Sequence, residues 1–476
     1  MKSLHPKIFQ VFFVLAFAAV AWKVFFVVFG SSAMGYGNNW DFIRQSSCTG
    51  IWIQYEGKEK FDGNHESFVK SFVNDGERRK DLCLRSTGNS FVHLAALTTR
   101  LGSPLDIRYV SAIKILAIFA MAIFLLKRNL LPTRWLLSIA FLLVFSDFYN
   151  LLYVNTLYLE FQVLMLAFFS VGVLLSINSH ERFSGPRWWL LFMASIVALG
   201  LAKQQYMPLA CFLAVLGAAV YHFQYRKWKF ATSLLGLAVL LPFIYTEYSN
   251  ISAKNNSGIS YANKTNTFMW TVLPEAQDKK QALKILNLPE RCEQAIGFNW
   301  YATEISIRDV CPEIAHVSRA KLLPLFATDP GTFWRPFVKG MRELYPFYPE
   351  NLGYQEKGAV VDAATLALAQ QTSTSYMLKR FHDWNPHSSL WGFIAVFAAA
   401  PLLLLAALRS PHPAVSNALL CAGIGGVMAC YSILSSIFGD GYVEVEKHSV
   451  AFSTGMAFFF TGILVLLPVA LGQNRK

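Results

Sequence analysis

The sequence predicts an all-α polytopic membrane protein with about ten transmembrane helices and two polar segments on the outer face. Three observations predict it. Of 476 residues, 54% are hydrophobic and 15% charged, whereas soluble chains usually carry about 25% charged residues. Apolar runs long enough to cross roughly 30 Å of hydrocarbon as helices recur along the chain. Basic residues gather in alternate short links.

The apolar runs are 8–29, 109–126, 135–152, 160–177, 188–202, 208–222, 229–246, 390–407, 414–437 and 450–471. Lys2 and Lys7 precede the first run, as in a signal peptide. It is too long for a typical signal core and further spans follow, so it reads as an anchor. Residues 30–108 and 247–389 are too polar for lipid. They divide the chain into an N-terminal transmembrane module (1–246, with the first outer loop at 30–108), an extracytoplasmic insertion (247–389) and C-terminal transmembrane helices (390–476). The insertion contains the turn Asp329-Pro330-Gly331 and helix-like stretches around 276–287 and 360–380. It is long enough for a small domain of its own. Neither an internal repeat nor a Cys/His metal spacing is evident, so no protein metal site is predicted.

The net charge of +13 is a topology signal and gives no reason to invoke nucleic acid. One set of short links carries Lys2, Lys7, Lys127, Arg128, Arg134, Arg182, Arg187, Arg226, Lys227, Lys229, Arg409, Arg475 and Lys476 against one acid, Glu181. The links on the other side, 146–160, 203–207 and 438–449, hold only Lys203 and Lys447. The positive-inside rule then places both termini in the cytoplasm. Cysteines fit this orientation. Cys211, Cys421 and Cys430 fall within spans, whereas the neighbours Cys48 and Cys83, and Cys292 and Cys311, lie in the outer segments. Two outer pairs suit disulfides in an oxidising compartment, with four free thiols as the alternative.

Polar residues concentrate at the outer ends of the spans. They are Asn39, Asp41 and Arg44 after the first span; Asp147, Asn155, Tyr158 and Glu160 between the third and fourth; Lys203 and Gln205 after the fifth; and Asp440, Lys447 and His448 before the tenth. Each has an ordinary explanation: Asp41 can cap a helix, Lys203 can snorkel, and the tyrosines can form an interfacial belt. Charges at membrane depth are expensive unless they face a wet cavity or a partner, so their common level points to one outward pocket. Moving a sugar off a phosphate requires a base for the incoming hydroxyl and positive charge for the departing phosphate. Asp41 is the candidate base, and Arg44 and Lys203 the phosphate binders. Asn39, Asp147, Asn155, Tyr158, Glu160, Gln205, Asp440, Lys447 and His448 are candidates for sugar or acceptor contacts.

Asn38-Asn39-Trp40-Asp41-Phe42-x-Arg44, Asn155-x-x-Tyr158-x-Glu160, Ala202-Lys203-x-Gln205 and Gly439-Asp440-Gly441 through Lys447-His448 resemble the motifs of GT-C glycosyltransferases. Specifically, they resemble bacterial glycan-biosynthesis hexose transferases of the WsfD type. That family more often has Gly at the position of Trp40, and Lys-Pro-Gln in place of Lys203-Gln204-Gln205. The resemblance implies a multi-pass enzyme of the bacterial inner membrane, with its active site on the periplasmic face. Its donor would be a polyprenyl-phosphate-linked hexose, and its acceptor a polysaccharide or lipid-linked glycan of O-antigen type. Asp41 would be the general base or the acceptor-orienting carboxylate. A divalent metal, Mg or Mn, stays open, because some GT-C enzymes use one and others none. Two other readings compete. A lipid-linked glycan flippase needs polar residues along a whole transbilayer path, and an O-antigen polymerase or ligase relies on outer-loop arginines and a histidine.

Overall fold

The computed structural model describes residues 6–38, 40–54, 67–179, 185–225, 231, 234–235, 237–238, 240–241 and 254–473. Asn39 and most of the seventh predicted span lie outside the described residues. Among the described residues, seven helices are long and apolar enough to cross a membrane, and Leu131–Phe145 and Pro186–Ala202 are shorter apolar helices. The protein is an all-α multi-pass membrane protein.

The first half of the bundle comprises α1 (Pro6–Val24), which continues as a π-turn to Phe29, then, past the short helices α2 (Asp41–Thr49) and α3 (Ser90–Thr98), α4 (Ile107–Arg128), α5 (Leu131–Phe145), α7 (Glu160–Ser179), α8 (Pro186–Ala202) and α9 (Met207–Tyr225). Helices Pro386–Arg409, Pro413–Asp440 and Ala451–Gln473 complete it. α7 is apolar around its circumference and 89% of its span window is buried, as a central helix should be. The last two helices approach closely through small residues. A Cβ on Gly455 would lie 2.6 Å from the Ala429 nitrogen, and one on Gly462 2.5 Å from the Ala418 oxygen. Such contacts replace the hydrophobic drive that lipid does not supply. At the end with the basic links, Asn417 Nδ2 donates to Ser179 Oγ (2.6 Å) and Thr133 Oγ1 (3.0 Å), and Asn178 Nδ2 donates to Asn417 Oδ1 (2.7 Å). This network ties α5, α7 and Pro413–Asp440 together.

Two details differ from expectation. The third predicted span, 135–152, ends at Phe145. Asp147 Oδ1 accepts from the backbone N–H groups of Tyr149 and Asn150 (2.9 and 3.1 Å) and starts a separate turn, α6 (Phe148–Leu152). The segment between α1 and α4 also contains a small antiparallel sheet, β1 (Ile51–Ile53), β2 (Ser71–Asn74) and β3 (Pro104–Asp106), with Trp52 opposite Val73 and Phe72 opposite Leu105. β-Branched and aromatic residues suit β1 and β2 to strands, and the Cys48–Cys83 disulfide lies beside them.

The segment before Pro386–Arg409 divides its packing. Phe268 to Leu325 contribute to a core of their own, which contains the Cys292–Cys311 disulfide. Phe337, Met341, Leu344 and Phe347 instead pack on Phe393, Ile433, Ile437 and Phe452 of the bundle. The helix-like stretches appear as Lys279–Leu286, Ala363–Gln371 and Thr374–Trp384. A clasp joins this segment to α1 and α6. Lys23 Nζ donates to the carbonyls of Ser146 (2.6 Å) and Thr372 (3.0 Å), and Ser375 N donates to Asp147 Oδ2 (2.7 Å).

Candidate functional site

The chain from the first span to α2 (Asp41–Thr49) is fixed on two sides. Gly35 N and Gly37 N donate to the carbonyls of Tyr354 (3.1 Å) and Gly353 (2.7 Å). From the other side, Asn155 Nδ2 donates to Met34 O (2.8 Å) and Tyr158 Oη to Gly37 O (2.9 Å). The Asn155 loop is held from beneath by α4. Ser111 Oγ donates to Asn155 Oδ1 (2.6 Å), and the buried Lys114 Nζ to the carbonyls of Val154 (2.9 Å) and Thr156 (2.7 Å). A lysine at that depth is tolerable because carbonyl oxygens replace water around its ammonium.

Asp41 is thereby placed at the start of α2. The N–H of Phe42 is satisfied by Asn38 Oδ1 (3.2 Å), so Asp41 is directed elsewhere. Its Oδ2 lies 2.8 Å from Lys447 Nζ and its Oδ1 3.3 Å from Arg44 Nη1. Lys447 also meets Glu444 Oε2 at 3.0 Å and lies 5.1 Å from the Tyr158 ring centroid. Burial would raise the Asp41 pKa, but the charges of Lys447 and Arg44 outweigh it and hold the carboxyl well below the usual range. Burial would likewise lower Lys447, but the opposing charge of Asp41 leads a set of neighbours that hold it well above the ordinary lysine value. Two non-glycine residues with left-handed backbone, Trp40 (φ 59°) and Glu444 (φ 49°), directly precede the helical turns carrying Asp41 and Lys447. Strained backbone of this kind gathers at functional sites.

A second group adjoins the first. Glu160, at the start of α7, is 2.7 Å from Lys203 Nζ at the end of α8. Lys203 Nζ is also 3.5 Å from His448 Nδ1, and His448 Nε2 is 3.1 Å from Asp440 Oδ2. Asn266 Nδ2 donates to Asp440 Oδ1 at 3.3 Å, and Asn263, with its amide turned to donate, reaches the same oxygen at 3.1 Å. Asn266 belongs to a π-helix, Asn266–Val272, and its Oδ1 accepts from Trp300 N (2.8 Å). π-Turns are frequent at functional sites.

The structure therefore brings Asp41, Arg44, Glu160, Lys203, Asp440, Lys447 and His448 together at one end of the bundle. Asp41, Arg44, Lys203, Asp440, Glu444 and His448 keep side-chain exposures between 17% and 27%, whereas Glu160 and Lys447 are sealed beneath. The remaining candidates serve the framework. Asn155 and Tyr158 are buried and committed to the Met34–Gly37 segment. Asp147 is a buried cap on the clasp. Gln205 Nε2 donates to His448 O (2.8 Å) and Ser435 Oγ (3.1 Å) and so supports the histidine. Lys447, expected to touch sugar, neutralises two carboxylates from below. Among the described residues, the His/Cys/Asp/Glu group close enough to share an ion is Cys292, Cys311 and Glu313. Its two sulfurs are already bonded to each other.

A family model described as the YfdI N-terminal transmembrane domain matches residues 1–475. The chain belongs to that family. No curated protein and no solved structure matches it. In this member of the YfdI N-terminal transmembrane domain family, sequence reasoning missed Lys114, Asn263, Asn266 and Glu444. Glu444 stands within the Gly439–His448 motif, and two acids just before Lys447, Glu444 and Glu446, were a usable signal. The two asparagines lie in a segment with no pattern of its own, and only packing brings them to Asp440.

Proposed function

We propose that this protein is a membrane glycosyltransferase of GT-C type. It moves a hexose from a polyprenyl-phosphate carrier to a cell-surface glycan of O-antigen type, on the extracytoplasmic side of the inner membrane. The observation that carries this reading is the convergence of carboxylates, cations and a histidine from α2, α7, the end of α8 and the 440–448 turn at one bundle end.

The site has two poles. At one, Arg44 presents a partly exposed guanidinium whose fork suits a phosphate. Asp41 is held as an anion by Lys447 and orients that guanidinium; a carboxylate so strongly held is a weak proton acceptor. At the other pole, Lys203, Asp440 and His448 offer donors and acceptors for the hydroxyls of an incoming glycan, with the sealed Glu160 holding Lys203 from behind. The polyprenyl chain would lie in the bilayer beside the bundle.

The test is transfer of radiolabelled hexose from synthetic polyprenyl-phosphate-hexose to acceptor glycan, in membranes containing the full chain. Transfer that Arg44→Ala weakens through a raised donor KM is the expected result. Absence of transfer, together with lipid-linked intermediates accumulating on the cytoplasmic face of deletion cells, would replace the reading with flipping.

A further inference from the structure

We propose that His448, aimed by Asp440, receives the proton of the acceptor hydroxyl, a task Asp41 does not perform. The assignment rests on the transfer reading above and adds its proton step. Both Asp41 oxygens are taken by cations, at 2.8 Å by Lys447 and 3.3 Å by Arg44. Protonating that carboxylate would strip a sealed ammonium of its closest counter-charge. His448 is arranged in the opposite sense. Its Nε2 faces a carboxylate that can only accept, so Nε2 carries the hydrogen and the lone pair stays on Nδ1. Asp440 is itself steadied through its other oxygen by Asn266 and Asn263. The His448 carbonyl accepts from Gln205 Nε2 (2.8 Å) and Tyr206 Oη (3.4 Å), so a second segment fixes the residue.

The Nδ1 lone pair meets Lys203 Nζ at 3.5 Å, the outer limit of a hydrogen bond, while Lys203 has a closer partner in Glu160 at 2.7 Å. A substrate hydroxyl can therefore displace the longer contact without unpairing Lys203. Among the described residues, the charged groups facing His448 are Asp440, Lys203 with Glu160 behind it, and Glu446 on its own turn.

In the step, the acceptor O–H bond breaks and its proton passes to Nδ1. The oxygen's electron pair forms the new bond to the anomeric carbon. The anomeric C–O bond to phosphate breaks with its pair, which leaves on the polyprenyl phosphate. The imidazolium then returns its proton to water. Asp440 is a positioning residue, since it keeps the tautomer and supports the charge, as the carboxylate does in an Asp–His pair.

The experiment measures kcat and KM for hexose transfer against pH in membranes carrying the full chain, for wild type, His448→Gln, His448→Ala and Asp440→Asn. The expected results are an acid limb in wild-type kcat, and a fall of about 100-fold or more in kcat with donor KM unchanged for His448→Gln. Added imidazole should restore part of the His448→Ala rate, and Asp440→Asn should lower kcat and displace the acid limb. A His448→Gln enzyme within about threefold of wild type that keeps the acid limb would overturn the assignment and leave the transferase reading intact. So would equal rescue of wild type and His448→Ala by imidazole. A wild type without transfer removes the reading beneath it, a result distinct from both.

Discussion

Lys447 shows what a single buried charge does here. Its ammonium is sealed, yet it neutralises carboxylates from two segments some 400 residues apart, Asp41 and its own neighbour Glu444. Removing one partner of such a group usually costs about 3–5 kcal/mol, because the remaining charge is left without compensation. Lys447→Met should therefore lower the melting temperature of the detergent-solubilised protein sharply, and Asp41→Asn in the same chain should return part of the loss. No recovery in the double variant would show that the pair is not the source. The direction of the Asp41 pKa also sets an acid limit. Its folded value lies below the ordinary carboxylate value of about 3.9, so its contribution is complete above that pH and is lost as pH falls toward the folded value. Acid melts should show a loss beginning near pH 4 that shrinks in Lys447→Met. Trp40 adds a backbone effect. At φ 59° a side chain costs roughly 1–2 kcal/mol, so Trp40→Gly should raise the melting temperature; a fall would mean that indole contacts outweigh the strain.

Among the elements, the π-helix Asn266–Val272 couples the 254–330 segment to the charged end of the bundle. Gly441 makes that contact possible. It has φ 70°, and a Cβ there would lie 2.6 Å from Thr271 Oγ1 and 2.7 Å from the Asn266 carbonyl. Gly441→Ala should push the π-helix away from Asp440, seen as faster proteolysis of the 254–330 segment while the spans stay intact. Unchanged proteolysis would mean that the turn absorbs the methyl. The segment between α1 and α4 depends on a different device. The Cys48–Cys83 bond closes a 35-residue separation, and a loop of that size stabilises by about 3–4 kcal/mol in the chain-entropy account. Replacing both cysteines by Ala should lower stability by that order, whereas Cys421, buried inside a span, should tolerate Ala far better.

For the whole molecule, the charged site and both disulfides belong to the end of the bundle opposite the basic links. In a chain with Cys211, Cys421 and Cys430 replaced, Arg100→Cys should react with a membrane-impermeant thiol reagent applied outside intact spheroplasts. Arg409→Cys should react only after permeabilisation, and the opposite pattern would place the site on the cytoplasmic side. Hydropathy and composition by themselves determined the class of this protein, since without water in the bilayer core the polar backbone groups of each apolar run must hydrogen-bond within the run, as a helix does. They also determined that Asp41, Glu160, Lys203 and His448 share a level, because span ends are set by hydrocarbon thickness. Only the tertiary structure decided which of those residues stay open to solvent and which are sealed as framework. Pairing of Asp41 with Lys447, of Glu160 with Lys203 and of Asp440 with His448 depends on helix rotation and on close approach at small residues. That rotation comes from side-chain packing across the whole bundle, which no local stretch of sequence encodes.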